Sequence, residues 1–319
     1  MKPYRAPRWL PGGNAQTIWP LLRKEPAPAY RRERWETPDG DFIDLDWVEG
    51  GEGSEPLLAV FHGLEGNSRS HYARSLMRAA QRRGWAGVVV HFRGCSDEPN
   101  RLPRGYHSGD STEIDWILRR LRARRPAAPV FAAGISLGGN ALLKWLGEQG
   151  SAAETVVEAA AGISAPLDLA AANEALSRGF GLVYARHFLR TLVPAALGKL
   201  ARHPGIFEAA AITSARTLRE FDDAVTAPLH GFRDAADYYA RSSSAQFLHG
   251  IAVPTLVLNA RNDPFLPASS LPRHASAAVT LEQTEEGGHV GFVSGPFPGG
   301  LEWMPERVMA HFEAIRGMR

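Results

Sequence analysis

Apolar and polar residues alternate with two different periods along the chain. Near the start, Ile43, Leu45 and Trp47 alternate with aspartates, and this period of two predicts a half-buried strand over residues 41–48. Residues 31–36 precede it across a Pro-Asp-Gly turn, so the two segments are expected to form a β-hairpin. Residues 1–30 are rich in proline and show no regular period, which predicts irregular structure there.

From residue 57 onward, short apolar runs alternate with segments of helical period. The apolar runs predict strands over residues 57–61, 85–92, 130–135, 155–163, 255–260 and 279–283. The intervening periodicity predicts helices over residues 70–83, 111–124, 139–148, 268–275 and 304–315. Strands that are apolar throughout are typical of a sheet covered on both faces. We therefore expect an α/β fold with a mostly parallel central sheet and helices on both faces.

Residues 167–248 interrupt this rhythm, since they are rich in alanine, leucine and arginine and contain no strand-like run. We expect one domain over residues 1–319, with residues 167–248 forming an inserted helical cap. The apolar residues expected to face the substrate include Phe180, Leu182, Val183, Phe188, Leu189 and Leu192. The alternative is an accessory helical layer that packs away from the site.

The motif Gly134-Ile135-Ser136-Leu137-Gly138 lies between a predicted strand and a predicted helix. It matches the G-x-S-x-G pattern, in which a sharp strand-to-helix turn exposes the serine hydroxyl. Nearly bare positions two residues before and after the serine prevent clashes in this turn. Free N–H groups at the helix N-terminus are suited to stabilise an oxyanion, so Ser136 is the candidate nucleophile.

A serine nucleophile needs a base, and the base needs a carboxylate that fixes its tautomer. His289 lies in a glycine-rich loop after the last predicted strand, and Asp263 follows the strand over residues 255–260. Both therefore lie at carboxyl ends of strands, where open α/β sheets form their sites. Asp168, which follows the preceding strand, is the alternative acid.

The loop His62-Gly63-Leu64-Glu65-Gly66 follows the strand over residues 57–61. In this architecture a second oxyanion donor comes from that loop. We therefore predict that the backbone N–H groups of Leu64 and Leu137 form the oxyanion hole. His62 is expected to have a structural role, because His289 is the better base.

With these loops in place, the chain resembles the α/β-hydrolase superfamily and, within it, the YheT-type family of hydrolases and esterases. The order Ser136, Asp263, His289 is the order of that superfamily's triad. The segments that carry the family resemblance are residues 13–18, 39–47, 92–96, 106–109, 263–265 and 288–292. The family's acid motif is often Asp-Asp-Pro, whereas this chain has Asn262-Asp263-Pro264. The resemblance implies a Ser-Asp-His triad, a helical cap and hydrolysis of short acyl esters or acylglycerols.

Composition narrows the classes of function further. Lys and Arg total 36 against 34 Asp and Glu, and this near-balance of charge argues against nucleic acid as a partner. The single cysteine, Cys95, excludes an internal disulfide and a multi-cysteine metal site, and fits a reducing compartment. No apolar run is long enough to span a bilayer, and the N-terminus lacks the apolar core of a signal peptide. We expect a cytoplasmic protein that requires no metal and no organic cofactor.

These observations predict a serine hydrolase that cleaves small-molecule carboxylic esters through an acyl-enzyme on Ser136. One alternative is an acyltransferase that uses the same triad with an alcohol or thiol acceptor in place of water. A second alternative is a non-catalytic ligand-binding protein on a hydrolase fold. Cys95 and the loop residues His107 and Asp110 are expected to be structural.

Overall fold

The computed structural model describes residues 2–23, 26–50 and 53–317, and it contains one eight-stranded sheet. The strands are β1 (Arg31–Glu36), β2 (Phe42–Val48), β3 (Leu57–Phe61), β4 (Ala86–Val90), β5 (Val130–Ile135), β6 (Ala159–Ile163), β7 (Thr255–Ala260) and β8 (Val279–Thr284). Their spatial order is β1-β2-β4-β3-β5-β6-β7-β8. The hairpin strands β1 and β2 pair antiparallel, and β2 pairs antiparallel with β4. All other neighbours are parallel, which confirms the predicted mostly parallel sheet.

The helices are α1 (Gly13–Leu22), α2 (His71–Arg82), α3 (Ser111–Arg124), α4 (Leu137–Gln149), α5 (Leu169–Leu176), α6 (Gly181–Arg202), α7 (Ala209–Ser214), α8 (Leu218–Phe221), α9 (Ala227–Leu229), α10 (Ala235–Ser242) and α11 (Trp303–Gly317). Helix α1 precedes the first strand, α11 follows the last strand, and the other helices lie in the connections between strands. A π-helical turn, Asp222–Thr226, joins α8 to α9. The helix predicted over residues 268–275 is reduced to a 3₁₀ turn, Ala268–Ser270.

Two apolar clusters cover the two faces of the sheet, because successive side chains of a strand point to opposite faces. In β3, Leu57, Ala59 and Phe61 pack with residues of α3 and α4. The alternate residues, Leu58 and Val60, pack with residues of α2 and α11. The predicted coverage of both faces is therefore confirmed, and every residue of β3 is buried.

The prediction of a half-buried β2 was wrong, since all seven of its residues are buried. The Arg34 guanidinium donates two hydrogen bonds to Asp44, at 2.8 and 2.9 Å, and Arg32 binds Asp46 in the same way. These arginines extend from the neighbouring strand β1 and cover the aspartates. The aspartates of β2 are thus buried rather than exposed to water, because each carboxylate is paired with an arginine.

The prediction of irregular structure before residue 30 was also wrong, because α1 forms within it. Gln16 and Thr17 of this helix are buried, and so is Pro20. Between β6 and β7 the chain forms α5 to α10, the π-helical turn and a final 3₁₀ helix, Ser244–Gly250. These helical elements extend over residues 169–250, which overlaps the strand-free segment predicted over residues 167–248.

None of the helices described, over residues 2–23, 26–50 and 53–317, is both long and apolar enough to cross a membrane.

Candidate active site

Ser136 occupies the turn between β5 and α4, at the carboxyl end of a central strand. Its backbone has φ 52° and ψ −118°, a conformation that a residue with a side chain adopts only when its surroundings enforce it. The close packing around Gly138 helps to hold the Ser136 backbone in this conformation. A Cβ on Gly138 would lie 2.5 Å from the carbonyl oxygens of Phe61 and His62, so only glycine fits there. The Gly138 N–H also donates to the His62 carbonyl at 3.1 Å. The elbow is therefore packed directly onto the end of β3.

A chain of hydrogen bonds joins Ser136, His289 and Asp263. The Oγ of Ser136 lies 2.9 Å from Nε2 of His289, and Nδ1 of the same ring lies 2.8 Å from Oδ2 of Asp263. A carboxylate accepts hydrogen bonds, so Nδ1 carries the proton and Nε2 is free to accept from the serine hydroxyl. The structure thus brings together the three residues that the sequence placed on three separate loops.

Asp263 is oriented by the turn that follows β7. Its Oδ1 accepts from the N–H of Phe265 at 2.8 Å, which leaves Oδ2 for the imidazole. The Phe265 ring stacks on His289 with centroids 4.1 Å apart and an interplanar angle of 19°. Phe265 therefore holds the imidazole plane, a role that sequence reasoning did not assign, although the residue lies in the Asp-Pro-Phe segment of the family resemblance.

Helix α1 supports both the acid loop and the base loop. The Gln16 amide oxygen accepts from the side chain of Asn262 and from the N–H of Gly287, both at 2.9 Å. The Thr17 hydroxyl accepts from the N–H of His289 at 2.8 Å. Sequence reasoning missed these contacts. The sequence signal that could have revealed them is the segment over residues 13–18, which carries part of the family resemblance. A stretch of irregular chain gives no reason for that resemblance, whereas a helix that supports the site does.

The structure separates the alternative candidates from the triad. Asp168 caps α5, and its side chain accepts from the N–H of Ala171 at 3.0 Å. Cys95 is half-buried, and burial raises the pKa of its thiol well above the ordinary value, which disfavours the reactive thiolate. Asp110 caps α3 and binds Arg104 at 2.8 Å. These contacts agree with structural roles.

His62 is fully buried beneath the loop that it begins. Its Nε2 accepts from the N–H of Phe92 at 3.0 Å, and its Nδ1 lies 2.7 Å from the carbonyl of Gly63. Burial lowers the pKa of His62 to about 3, so the ring stays neutral. Both nitrogens are occupied, which agrees with the predicted structural role.

The two residues predicted to supply the oxyanion donors both lie close to Ser136. Leu137 is the first residue of α4, and the first N–H groups of a helix have no partner within it. Leu64 follows Gly63, where a Cβ would lie 3.2 Å from the Cβ of Ser136. Leu64 and Leu137 line the same cavity as Ser136 and His289.

That cavity has a volume of about 460 Å³ and lies between the strand ends and the helical segment that precedes β7. The helical segment supplies an apolar wall that includes Leu176, Phe188, Leu192, Leu218, Phe221 and Val225. Phe188 and Leu192 are thus placed as the sequence led us to expect. The expectation was wrong for the other four residues, none of which lines this cavity: Phe180, Leu182, Val183 and Leu189. Phe180 and Val183 are 48% and 49% exposed to solvent, and Leu189 is buried in the apolar cluster among the helices.

The fold and the site define the class of this protein. The sequence pattern of the α/β hydrolase fold is matched over residues 56–296, and the chain belongs to that family. It also belongs to the YheT-type group within the family. It is 44% identical to "Putative esterase YheT" of Escherichia coli over 300 residues, which cover 92% of this chain and 88% of that protein.

More distant relatives carry the names of lipid-cleaving enzymes. "Phospholipase ABHD3" of Mus musculus is 30% identical over 95% of this chain and 76% of its own length. "Monoacylglycerol lipase" of Saccharomyces cerevisiae is 29% identical over 82% of this chain and 59% of its own length. Among solved structures, the esterase Pf2001 of Pyrococcus furiosus superposes with a TM-score of 0.58 at 13% identity, covering 90% of each chain. That likeness shows the fold alone.

Proposed function

We propose that this protein is a serine hydrolase that cleaves carboxylic acid esters through an acyl-enzyme on Ser136. The observation that carries the proposal is the continuous hydrogen-bond chain from Ser136 through His289 to Asp263. The names of the relatives, which include an esterase, a phospholipase and a monoacylglycerol lipase, support ester cleavage. The apolar cavity beside Ser136 supports a small-molecule substrate with a lipophilic acyl group.

Acylation begins when Nε2 of His289 takes the proton from the Ser136 hydroxyl as the oxygen attacks the ester carbonyl. The carbonyl oxygen becomes an oxyanion, which the N–H groups of Leu64 and Leu137 stabilise. Asp263 keeps the proton of His289 on Nδ1 and stabilises the imidazolium that forms. The imidazolium then gives its proton to the leaving alcohol.

Deacylation repeats these steps with water. His289 takes a proton from the water molecule, the hydroxide attacks the acyl carbonyl, and the same two N–H groups hold the second oxyanion. The carboxylic acid leaves, and Ser136 recovers its proton. Residues of this chain carry every proton transfer, so the scheme requires no metal and no organic cofactor.

We further propose that residues 167–248 act as a cap within one domain and shape the acyl pocket. The apolar wall that Phe188, Leu192 and Phe221 present to the cavity supports this role. Such a wall contacts the alkyl chain of the substrate and shields it from bulk water.

The test combines active-site labelling with turnover. We expect a fluorophosphonate probe to label the wild-type protein on Ser136, and a p-nitrophenyl ester to slow the labelling by competition. The Ser136→Ala variant should remain folded, resist labelling and lose turnover by a factor on the order of 10⁶, because only the oxyanion hole and binding remain. Near-normal turnover in purified, folded Ser136→Ala would refute the assignment.

Product analysis distinguishes hydrolysis from acyl transfer. With ester alone, the carboxylic acid should appear at the rate at which the alcohol is released. Added glycerol, short alcohols and thiols should leave the acid as the main product. A dominant transferred ester or thioester at low acceptor concentration would favour the acyltransferase.

A further inference from the structure

The loop that carries the Leu64 N–H is a tight turn held in a sparsely populated conformation. The N–H of Gly66 donates to the carbonyl of Gly63 at 2.9 Å, which closes the turn. Glu65 has φ 54°, in the left-handed region that side chains other than glycine rarely adopt. A residue in this region persists there only when neighbouring groups enforce it.

Two tyrosine hydroxyls bind the N–H groups on either side of Leu64. The Tyr72 hydroxyl accepts from the N–H of Gly63 at 3.0 Å. The Tyr106 hydroxyl accepts from the N–H of Glu65 at 2.9 Å and donates to the Glu65 carboxylate at 2.9 Å. The N–H groups of Gly63 and Glu65 are therefore occupied by tyrosines, while Leu64, between them, lines the cavity.

His62 fixes the peptide that contains the Leu64 N–H. The N–H of Phe92 donates to Nε2 of His62, so Nδ1 carries the ring proton and donates to the Gly63 carbonyl at 2.7 Å. In a trans peptide the C=O of one residue and the N–H of the next point in opposite directions. Holding the Gly63 carbonyl against His62 therefore directs the Leu64 N–H away from the core.

The two tyrosines come from separate elements and are themselves held firmly. Tyr72 lies in α2, and a Cβ on Gly66 would come within 2.3 Å of its hydroxyl, so the turn and the hydroxyl are in close contact. Tyr106 lies in the loop between β4 and α3, where its ring stacks on Phe92 with centroids 5.3 Å apart and an interplanar angle of 5°. Neither hydroxyl is part of the triad.

We propose that Tyr72 and Tyr106 are positioning residues that hold the turn so that the Leu64 N–H faces the oxyanion. This role rests on the function proposed above, and it belongs to residues outside the triad. When one of the two hydroxyls is removed, the Glu65 backbone can leave its left-handed conformation. The peptide that contains the Leu64 N–H then rotates away from the oxyanion. An oxyanion donor is effective only when it is fixed before the charge develops.

The experiment compares Tyr72→Phe and Tyr106→Phe with Tyr4→Phe as a matched control. The Tyr4 hydroxyl also makes a buried bond to the backbone, to the Val293 carbonyl at 2.8 Å, but it does not touch the turn. We expect each of the first two variants to lower kcat about 10-fold with KM unchanged. That loss is smaller than the roughly 10²–10³-fold cost of deleting an oxyanion donor. Tyr4→Phe should keep the wild-type kcat.

A second readout separates positioning from a general structural role. A trifluoromethyl ketone forms a tetrahedral adduct whose oxyanion occupies the hole, so its Ki should rise in Tyr72→Phe and Tyr106→Phe by the factor that kcat falls. Unchanged kcat and Ki in both folded variants would overturn the proposal, and so would equal losses in Tyr4→Phe. Failure of the proposed function itself is seen separately, because Ser136→Ala would then retain turnover.

Discussion

Asp263 uses its two carboxylate oxygens for two different partners. Oδ1 accepts from the N–H of Phe265, and Oδ2 accepts from Nδ1 of His289. The side chain is buried, so the first bond fixes the direction of the second. Asp168, the other carboxylate considered from the sequence, accepts from a backbone N–H at the start of α5. At the residue scale, Asp263 rather than Asp168 is the candidate acid because its carboxylate binds the His289 ring.

Replacing Asp263 with Asn should lower kcat roughly 10⁴-fold, because an amide that donates to Nδ1 stabilises the wrong tautomer of His289. The effect should be smaller than that of Ser136→Ala. Steady-state kinetics on a p-nitrophenyl ester, with the unfolding temperature measured alongside, provides the check.

The matched control is Asp168→Asn. Asparagine caps a helix as well as aspartate does, so this variant should keep both its stability and its turnover. A crippled Asp168→Asn beside an active Asp263→Asn would show that the wrong carboxylate had been assigned.

At the element scale, α6 presents different side chains to solvent and to the cavity. Phe188 and Leu192, one helical turn apart, line the cavity. Val183 of the same helix is 49% exposed, and Phe180, just before the helix, is 48% exposed. The apolar composition of this segment therefore does not by itself show which residues would contact an acyl chain.

The variants Phe188→Ala and Leu192→Ala should shift the preferred acyl chain to longer lengths, since each shortens a side chain of the apolar wall and so enlarges the cavity. The change in relative kcat/KM between short and long esters should be on the order of 10-fold. It is measured across a series of p-nitrophenyl esters of graded chain length, while fluorophosphonate labelling of Ser136 should proceed as in wild type.

Phe180→Ala is the control for this series and should leave the chain-length profile unchanged. Identical profiles in Phe188→Ala, Leu192→Ala and the wild type would mean that this segment does not form the acyl pocket.

At the scale of the whole molecule, several buried or partly buried histidines remain neutral. Burial lowers the pKa of His62 to about 3, of His107 to about 4 and of His230 to about 3, and it also lowers the pKa of His311. Their unfolded pKa is about 6.5, so below that pH the unfolded chain binds protons that the folded protein excludes. Two carboxyls, the buried Glu113 and the partly buried Asp222, have pKa values raised by desolvation and act in the opposite direction.

Because the four histidines outnumber the two carboxyls, unfolding should take up protons between pH 6.5 and 5. The free energy of unfolding should therefore fall as the pH falls, by about 1.4 kcal/mol per pH unit for each net proton bound. Urea unfolding at pH 7.5, 6.5, 5.5 and 5.0 tests this. A free energy of unfolding that rises towards pH 5 would contradict it.

The features of this protein that depend on local chemistry could be predicted from the order of its residues alone. A serine flanked by glycines, between an apolar strand and a segment of helical periodicity, predicts a sharp strand-to-helix turn. Steric contacts within these five residues determine the backbone conformation of the turn. The continuously apolar strands likewise required helices on both faces of the sheet. Asp263 and His289 could be predicted as well, since carboxyl ends of parallel strands meet at one edge.

Tertiary structure decided what local pattern could not. Helix α1 forms where Gln16 and Thr17 bind the loops of Asp263 and His289, although its proline-rich surroundings predicted none. Asp44 is buried because Arg34 reaches it from the neighbouring strand. In each case the deciding partner is distant in sequence or on another element, and its hydrogen bonds outweigh the local preference. Periodicity describes one segment, whereas burial and hydrogen bonding depend on every segment that packs against it.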